Sequence, residues 1–219
     1  MAKGVFIQFV DADDEINDIN WNEIIDEALE KKIDVAVFDS IRITNANRTN
    51  SSMLDEAIDD YMPGKELFEI IVKKGTIRES SCLYIINRDY LNKNNIRFGE
   101  GYINEDALFS LKVLINAERV KYYTQRYGYS YYKNSNSVTF KKLSDFCVAG
   151  WINIYELLML VHYDNESKLP KSIIQYINRI YMKTLDFMNR TDSNEIEKRL
   201  LEYDEKVYKV CGGLIPKKD

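Results

Sequence analysis

Val5-Phe6-Ile7-Gln8-Phe9-Val10 is a run of β-branched and aromatic residues with little strict alternation, and it ends in three acids within four positions, Asp11-Ala12-Asp13-Asp14. That pattern predicts a strand buried on both faces, in the middle of a parallel or mixed sheet. Buried carboxylates are costly unless paired, hydrogen-bonded or bound to a cation. The acids are therefore expected just past the strand's C-terminal end, where open α/β sheets place their ligands. Asn20 and Glu23 stand at capping-box spacing, and Trp21, Ile24, Ile25, Ala28, Leu29 and Ile33 share one helical face. A second β-type run, Ile33 to Phe38, comes at once, which gives a strand, a helix and a strand within the length of a βαβ unit. Ile41 to Arg48 alternates weakly, as an edge strand or hairpin arm would, and 49–63 reads as an exposed polar loop.

Farther on, Lys65 to Lys74 is a helix stopped by Gly75 in the C-cap position. Ser81 to Ile86 is a strand, Arg88 to Leu91 a short helical turn and 94–101 a loop. Asn104 is placed to cap a helix whose buried stripe is Ala107, Leu108, Leu111, Leu114 and Ile115. A tyrosine-rich hairpin, Val120 to Thr124 and Tyr127 to Lys133, comes next. From about Leu143 the pattern turns helical: Ser144 to His162, Pro170 to Asn189 and Ser193 to Val210, the last opened by Asp192 and Glu195 at capping-box spacing and closed by Gly212-Gly213. The expected fold class is α/β, a mixed sheet with helices over 1–140, succeeded by an α-helical extension over 141–219.

Composition narrows the function classes. The 219 residues carry a formal charge of −5 with 30% charged positions spread along the chain, which gives no electrostatic case for nucleic acid as a partner. Three widely spaced cysteines without a CxxC pair suit reduced thiols in a cytosolic protein, not a disulfide framework or zinc site. No signal peptide is evident, and no apolar run approaches the roughly 20 residues that span a bilayer.

Two acidic groups could carry chemistry. Asp11 and Asp13, two apart, can turn oxygens toward one hard divalent cation once the chain leaves extended geometry; an acidic strand-to-helix turn with only a capping role is the plainer alternative. Glu105 and Asp106 open a helix, where the dipole favours acids by about 0.3–1 kcal/mol each. A carboxylate fixed there is also well placed to act as a general base. An EF-hand reading of 11–22 fails, because Ile16 replaces the required glycine, Asn22 the bidentate Glu, and a strand precedes instead of a helix. His162, the only histidine, lies in an apolar helix with no second ligand at metal spacing, which suits packing. The tyrosines at 122, 123, 127, 129, 131 and 132 could stack on a sugar, although strands favour Tyr for ordinary packing.

The acids after the first strand resemble the DxD segment of family 2 glycosyltransferases of the GT-A fold. The series Cys82-Leu-Tyr-Ile-Ile-Asn-Arg88-Asp-Tyr-Leu91, Ile96-Arg-Phe98, Asn104-Glu105-Asp106-Ala-Leu-Phe109, Tyr129-Ser-Tyr131 and Ser137-Val138 is similar to the second half of those enzymes. The resemblance covers about Ala2 to Thr139 and implies a partial GT-A domain. It also implies a metal-dependent, inverting transfer of a sugar from a nucleotide-sugar donor to a saccharide or lipid-linked acceptor. Asp11 would contact the donor ribose or diphosphate, Asp13 would ligate Mn²⁺ or Mg²⁺ with Asp11 and Asp14 in support, and Asp106, or Glu105, would take the acceptor's proton. The "V-I-I-P-x-Y-N", "D-D-G-S" and "A-R-N-x-G" segments of the family's nucleotide-binding half do not occur in the sequence. A truncated chain with weak or no activity of its own is therefore expected, self-associating through an exposed sheet edge. The setting is cytoplasmic, with peripheral attachment at the inner membrane face as a variant. A non-catalytic fragment acting as an interaction module is the competing function class.

Overall fold

The computed structural model describes residues 2–45, 47–58, 60–133, 143–165 and 169–215. The chain divides into two compact units. The sheet unit comprises Met1–Arg97 and Phe109–Asn134, and the helical unit Phe98–Leu108 and Ser135–Asp219. The expected boundary at 140 and the Ser137-Val138 pair lie outside the described residues.

The sheet unit holds β1 (Phe6–Gln8), β2 (Glu15–Ile16), α1 (Trp21–Glu30), β3 (Val35–Ile43), β4 (Arg48–Ser51), α2 (Gly64–Lys74), β5 (Tyr84–Asn87), α3 (Arg88–Lys93) and β6 (Val120–Tyr132). Helix α4 (Asp106–Ile115) begins in the helical unit and continues into this one. The mixed sheet runs in the order β1-β5-β3-β6-β2, with β4 paired to β3. β3 is parallel to β6 and antiparallel to β4 and β5. Its first seven residues are buried, as a strand covered on both faces requires. Ala36, Phe38 and Ile85 form one core cluster with Ile24 of α1, and Ile25 packs against it. Trp21 stands edge-on to Phe38 at 5.2 Å, and Tyr123 stacks on Phe38 at 5.4 Å. Val35, Val37, Tyr84 and Ile86 are completely buried; each such aliphatic or aromatic side chain is worth about 1.5–3 kcal/mol over leaving it in water.

Several expectations are corrected here. The first strand is not central: β1 has three half-buried residues at one end of the sheet, paired antiparallel with β5. The fully buried strand is β3, farther along the chain. The tyrosine-rich segment is one strand, not a hairpin. Residues 124–126 bulge outward around Gln125 (φ 60), and the chain resumes along β3 in the same direction, with Phe38 opposite Tyr123 and Asp39 opposite Tyr127. The stretch 49–63 is not wholly exposed loop, since it completes β4 and buries Met53 and Leu54. Asn20 adopts a left-handed conformation and does not cap α1 with its side chain; its amide donates to Glu23 instead, at 2.8 Å. Gly75 caps α2 at φ 72, as the sequence indicates.

The helical unit contains α5 (Leu143–His162), α6 (Ile173–Met188), α7 (Ser193–Tyr203) and α8 (Glu205–Cys211). The expected third helix is two, because Asp204 takes an extended backbone (φ −169) and its carboxylate caps α8 by accepting from Lys206 N at 2.7 Å. Asp192 caps α7 by accepting from Asn194 N at 2.9 Å. α5 and α6 cross closely at Gly150, where a Cβ would lie 2.0 Å from Thr184 Oγ1. Trp151 meets Tyr181 edge-on at 5.7 Å, and Cys211 Sγ donates to Trp151 O at 3.2 Å.

α5 also corrects the reading of apolar runs: its 20 residues, at mean hydropathy 1.3, are long and apolar enough to cross a membrane. Polar Asp145, Asn153 and Glu156 punctuate the sequence and hide this. Ten of its residues are buried, among them Cys147 to Ile154, and it packs on α6 as a core helix does.

Candidate functional site

The acids of the sheet unit form a tight turn after β1, closed by Asp14 N donating to Asp11 O at 3.1 Å. Asp14 fastens this turn to β6. Its Oδ2 accepts from Tyr129 OH at 2.7 Å and its Oδ1 from Tyr132 N at 2.8 Å. Tyr129 OH in turn accepts from Asp11 N at 3.2 Å. Burial pushes the Tyr129 hydroxyl far above its ordinary pKa, with hydrogen bonds to Cys82 and Asp14 adding to the effect. It therefore stays protonated and keeps donating. Farther along, Asn17 N and Nδ2 donate to Gly128 O and Tyr127 O at 3.0 and 2.7 Å, and Ser130 Oγ donates to Asn17 Oδ1 at 2.9 Å.

The consequence is a division of labour. Asp14 is half-buried and engaged, whereas Asp11 and Asp13 are exposed. Asp13 makes no hydrogen bond among the described residues. No three His, Cys, Asp or Glu side chains among the described residues form a group able to hold a metal by themselves. What the turn offers fits another kind of ion site: one or two carboxylates, with phosphate and water completing the shell, as Mg²⁺ prefers.

A further carboxylate in this sheet escaped the sequence reading. Asp39 is 1% exposed in the middle of β3. It accepts a short hydrogen bond from Tyr122 OH, and also accepts from Gln125 N at 2.6 Å and Met53 N at 3.3 Å. The Tyr122 oxygen accepts from Met53 N and Leu54 N at 3.0 and 3.1 Å. This network holds the bulge of β6 and the chain at 53–54 against β3. An acid interrupting the apolar run Val35-Ala36-Val37-Phe38 was the available signal.

The second predicted pair belongs to the helical unit. Asn104 adopts φ 60, a conformation that Asn tolerates better than most residues. Its carbonyl accepts from Ala107 N at 3.4 Å and from Asn153 Nδ2 of α5 at 3.3 Å. Asn153 is completely buried. On the other side of the pair, Tyr176 OH of α6 donates to Ala107 O at 3.2 Å. Two core side chains of the helical unit thus grip the backbone on either side of Glu105 and Asp106, both half-buried. Neither Asn153 nor Tyr176 was singled out from sequence; the only signal was a polar residue inside the apolar stretch Trp151-Ile152-Asn153-Ile154. Asp11, Asp13 and Asp14 are brought together in one turn, and Glu105 and Asp106 at one helix start.

The fold has known counterparts. The chain superposes on S. aureus TarS residues 1–349 solved with UDP, at a TM-score of 0.64 and 23% identity over 90% of this chain and 54% of that one. Against the same protein solved with UDP-GlcNAc the TM-score is 0.66, at 22% identity over 94% of this chain and 60% of TarS 1–349. By sequence, it is 26% identical over 142 residues to the uncharacterized glycosyltransferase YibD of Escherichia coli (strain K12), covering 64% of this chain and 41% of YibD. No family model matches the chain. The fold is glycosyltransferase-like, a mixed α/β sheet with helices, and the chain spans about two fifths of the curated relative and a little over half of TarS 1–349.

Proposed function

We propose that this chain is the acceptor-side part of a family 2 glycosyltransferase domain of the GT-A fold, and that its substrates are a nucleotide sugar and a saccharide or lipid-linked acceptor. The observation that carries the reading is the acidic turn. Asp14 is tied down by Tyr129 and Tyr132, and Asp13 stands exposed beyond the strand end, in a fold shared with a protein solved with UDP and with UDP-GlcNAc. In this reading Asp13 and Asp11 hold Mn²⁺ or Mg²⁺ together with the donor diphosphate. The ion would neutralise charge developing on the leaving group. Asp106, or Glu105 in its place, accepts the proton of the acceptor hydroxyl as that oxygen attacks the anomeric carbon with inversion. The edge of β1 is where a second copy would pair, and a cytoplasmic setting belongs to the same reading.

Calorimetry with UDP and Mn²⁺ tests it. The expected result is metal-dependent binding to the chain, abolished by Asp13→Ala and retained by Asp106→Asn. Absence of binding by both wild type and Asp13→Ala would return the chain to the interaction-module reading, and equal binding by Asp13→Ala would remove Asp13 from the metal site.

A further inference from the structure

The helical unit contains a cleft of about 350 Å³ that no step above uses, at the low end of the roughly 300–1,000 Å³ of ligand pockets. Gly101, Tyr102 and Ile103 line one side, directly before Asn104-Glu105-Asp106, and Asp145 of α5 with Arg199 and Tyr203 of α7 line the other. Its chemistry is specific. Tyr102 and Tyr203 meet edge-on with ring centroids 6.4 Å apart, so two half-buried aromatic rings border one space. Arg199 is paired with the Asp145 carboxylate and also donates to Ser144 Oγ at 3.3 Å. The guanidinium charge is therefore already balanced, yet the two side chains remain 27% and 23% exposed. Burial, with Glu156 and Glu105 nearby, pushes the Tyr102 hydroxyl up to about 12, so it is a donor at neutral pH. Backbone geometry fits the same picture: Gly101 sits at φ +86, which side-chain-bearing residues rarely adopt, and a Cβ on Gly99 would lie 2.4 Å from the Tyr102 hydroxyl.

An anion entering this cleft would meet a carboxylate beside an already satisfied guanidinium, which disfavours a nucleotide diphosphate. A neutral polyhydroxylated ring suits it better, with apolar C–H faces for the tyrosines and hydroxyls for the Arg199–Asp145 pair. We propose that the cleft between the 101–103 loop and helices α5 and α7 is a saccharide subsite, built by the helical unit next to its own Glu105-Asp106 pair. The proposal deepens the glycosyl-transfer reading and rests on it only for calling the bound sugar an acceptor.

Ligand-observed saturation-transfer NMR tests the binding directly, using methyl glucoside, methyl galactoside and N,N′-diacetylchitobiose as probes and UDP with Mn²⁺ in parallel on the same samples. At least one sugar is expected to bind the wild-type chain, with affinity about fivefold weaker in Tyr203→Ala and near wild type in Tyr203→Phe. If Tyr203→Ala does not fold, the ring signals of Tyr102 and Tyr203 in the wild-type chain, assigned through the two Tyr→Phe variants, are expected to shift on sugar titration. No sugar binding, or binding that neither depends on Tyr203 nor shifts these rings, overturns the subsite whatever UDP does. Sugar binding that depends on Tyr203 supports it even if UDP fails to bind, and in that case only the donor reading falls.

Discussion

The acidic turn of the sheet unit and the helix start of the helical unit present the same residue types by opposite means. In the turn a side chain of the acidic group itself is the fastener: Asp14 is spent on Tyr129 and Tyr132, and that leaves Asp11 and Asp13 at the surface. At the helix start Asn153 and Tyr176 grip backbone carbonyls from a buried core instead. The first arrangement needs a tyrosine at the right register of β6. The second needs a packed helical unit around it. The two regions thus hold their acidic groups by different means, a side chain of the group in one and the backbone beside it in the other.

The sharpest way to break this contrast is Asn153→Leu. It removes the completely buried Asn153 amide that donates to the half-buried Asn104 carbonyl, and a loss of about 2–3 kcal/mol is expected in urea unfolding monitored in the helical unit. Any transferase activity should fall with it while UDP binding at the turn persists. Asp14→Ala comes next: it strips the partner from a buried tyrosine hydroxyl and should cost about 2 kcal/mol in the sheet unit, with UDP affinity falling as the turn loosens.

Alkaline pH should cost the helical unit about 1 kcal/mol per thiol. Burial raises Cys147 to about 11 and Cys211 to about 12 from an ordinary 9.0. A raised folded pKa contributes stability that is full below pH 9 and lost as pH rises toward 12. Unfolding of the helical unit at about pH 10 compared with about pH 8 should show the loss, and Cys211→Ala should reduce the difference. The smallest stability effect belongs to Asp13→Ala, within about 0.5 kcal/mol of wild type by thermal melting, even though it is expected to remove metal-dependent UDP binding. A large stability change there would mean that Asp13 is a fastener like Asp14.

The sequence made the acids themselves legible, because strand-to-acid and loop-to-acid transitions are local patterns. It also marked Gly75 as the stop of α2 and Asp192 as the cap of α7, where one residue's backbone or side chain decides. Partner relations were hidden. Val5 to Val10 is apolar enough for a central strand, yet burial depends on which strands lie beside it, and β5 is its one neighbour among the described residues. Val120 to Lys133 contains a turn-like break at 124–126 that local reading takes for a reversal. Pairing with β3, distant in sequence, keeps the chain going forward. Asp39 and Asn153 obey the same logic: a lone polar residue in an apolar run is uninformative until its hydrogen-bond partners from distant segments are known.

The bulge of β6 has a bearing on how relatives of this chain should be aligned. Between Phe38 and Ile41, β3 advances three residues while β6 advances seven, from Tyr123 to Ser130. The surplus of four is taken up in two odd steps, three residues between Phe38 and Asp39 and one between Asp39 and Ser40, so the period-two alternation of regular strand does not run through the bulge. What keeps Tyr129 facing Asp14 is its pairing with Ser40 beyond the bulge. Length variation among proteins that keep the Asp–Tyr fastening should therefore fall inside 124–128 and leave the pairing from Tyr129 onward unchanged. A gap placed beyond Tyr129 in an alignment would signal that the fastening has been replaced or that the gap is misplaced.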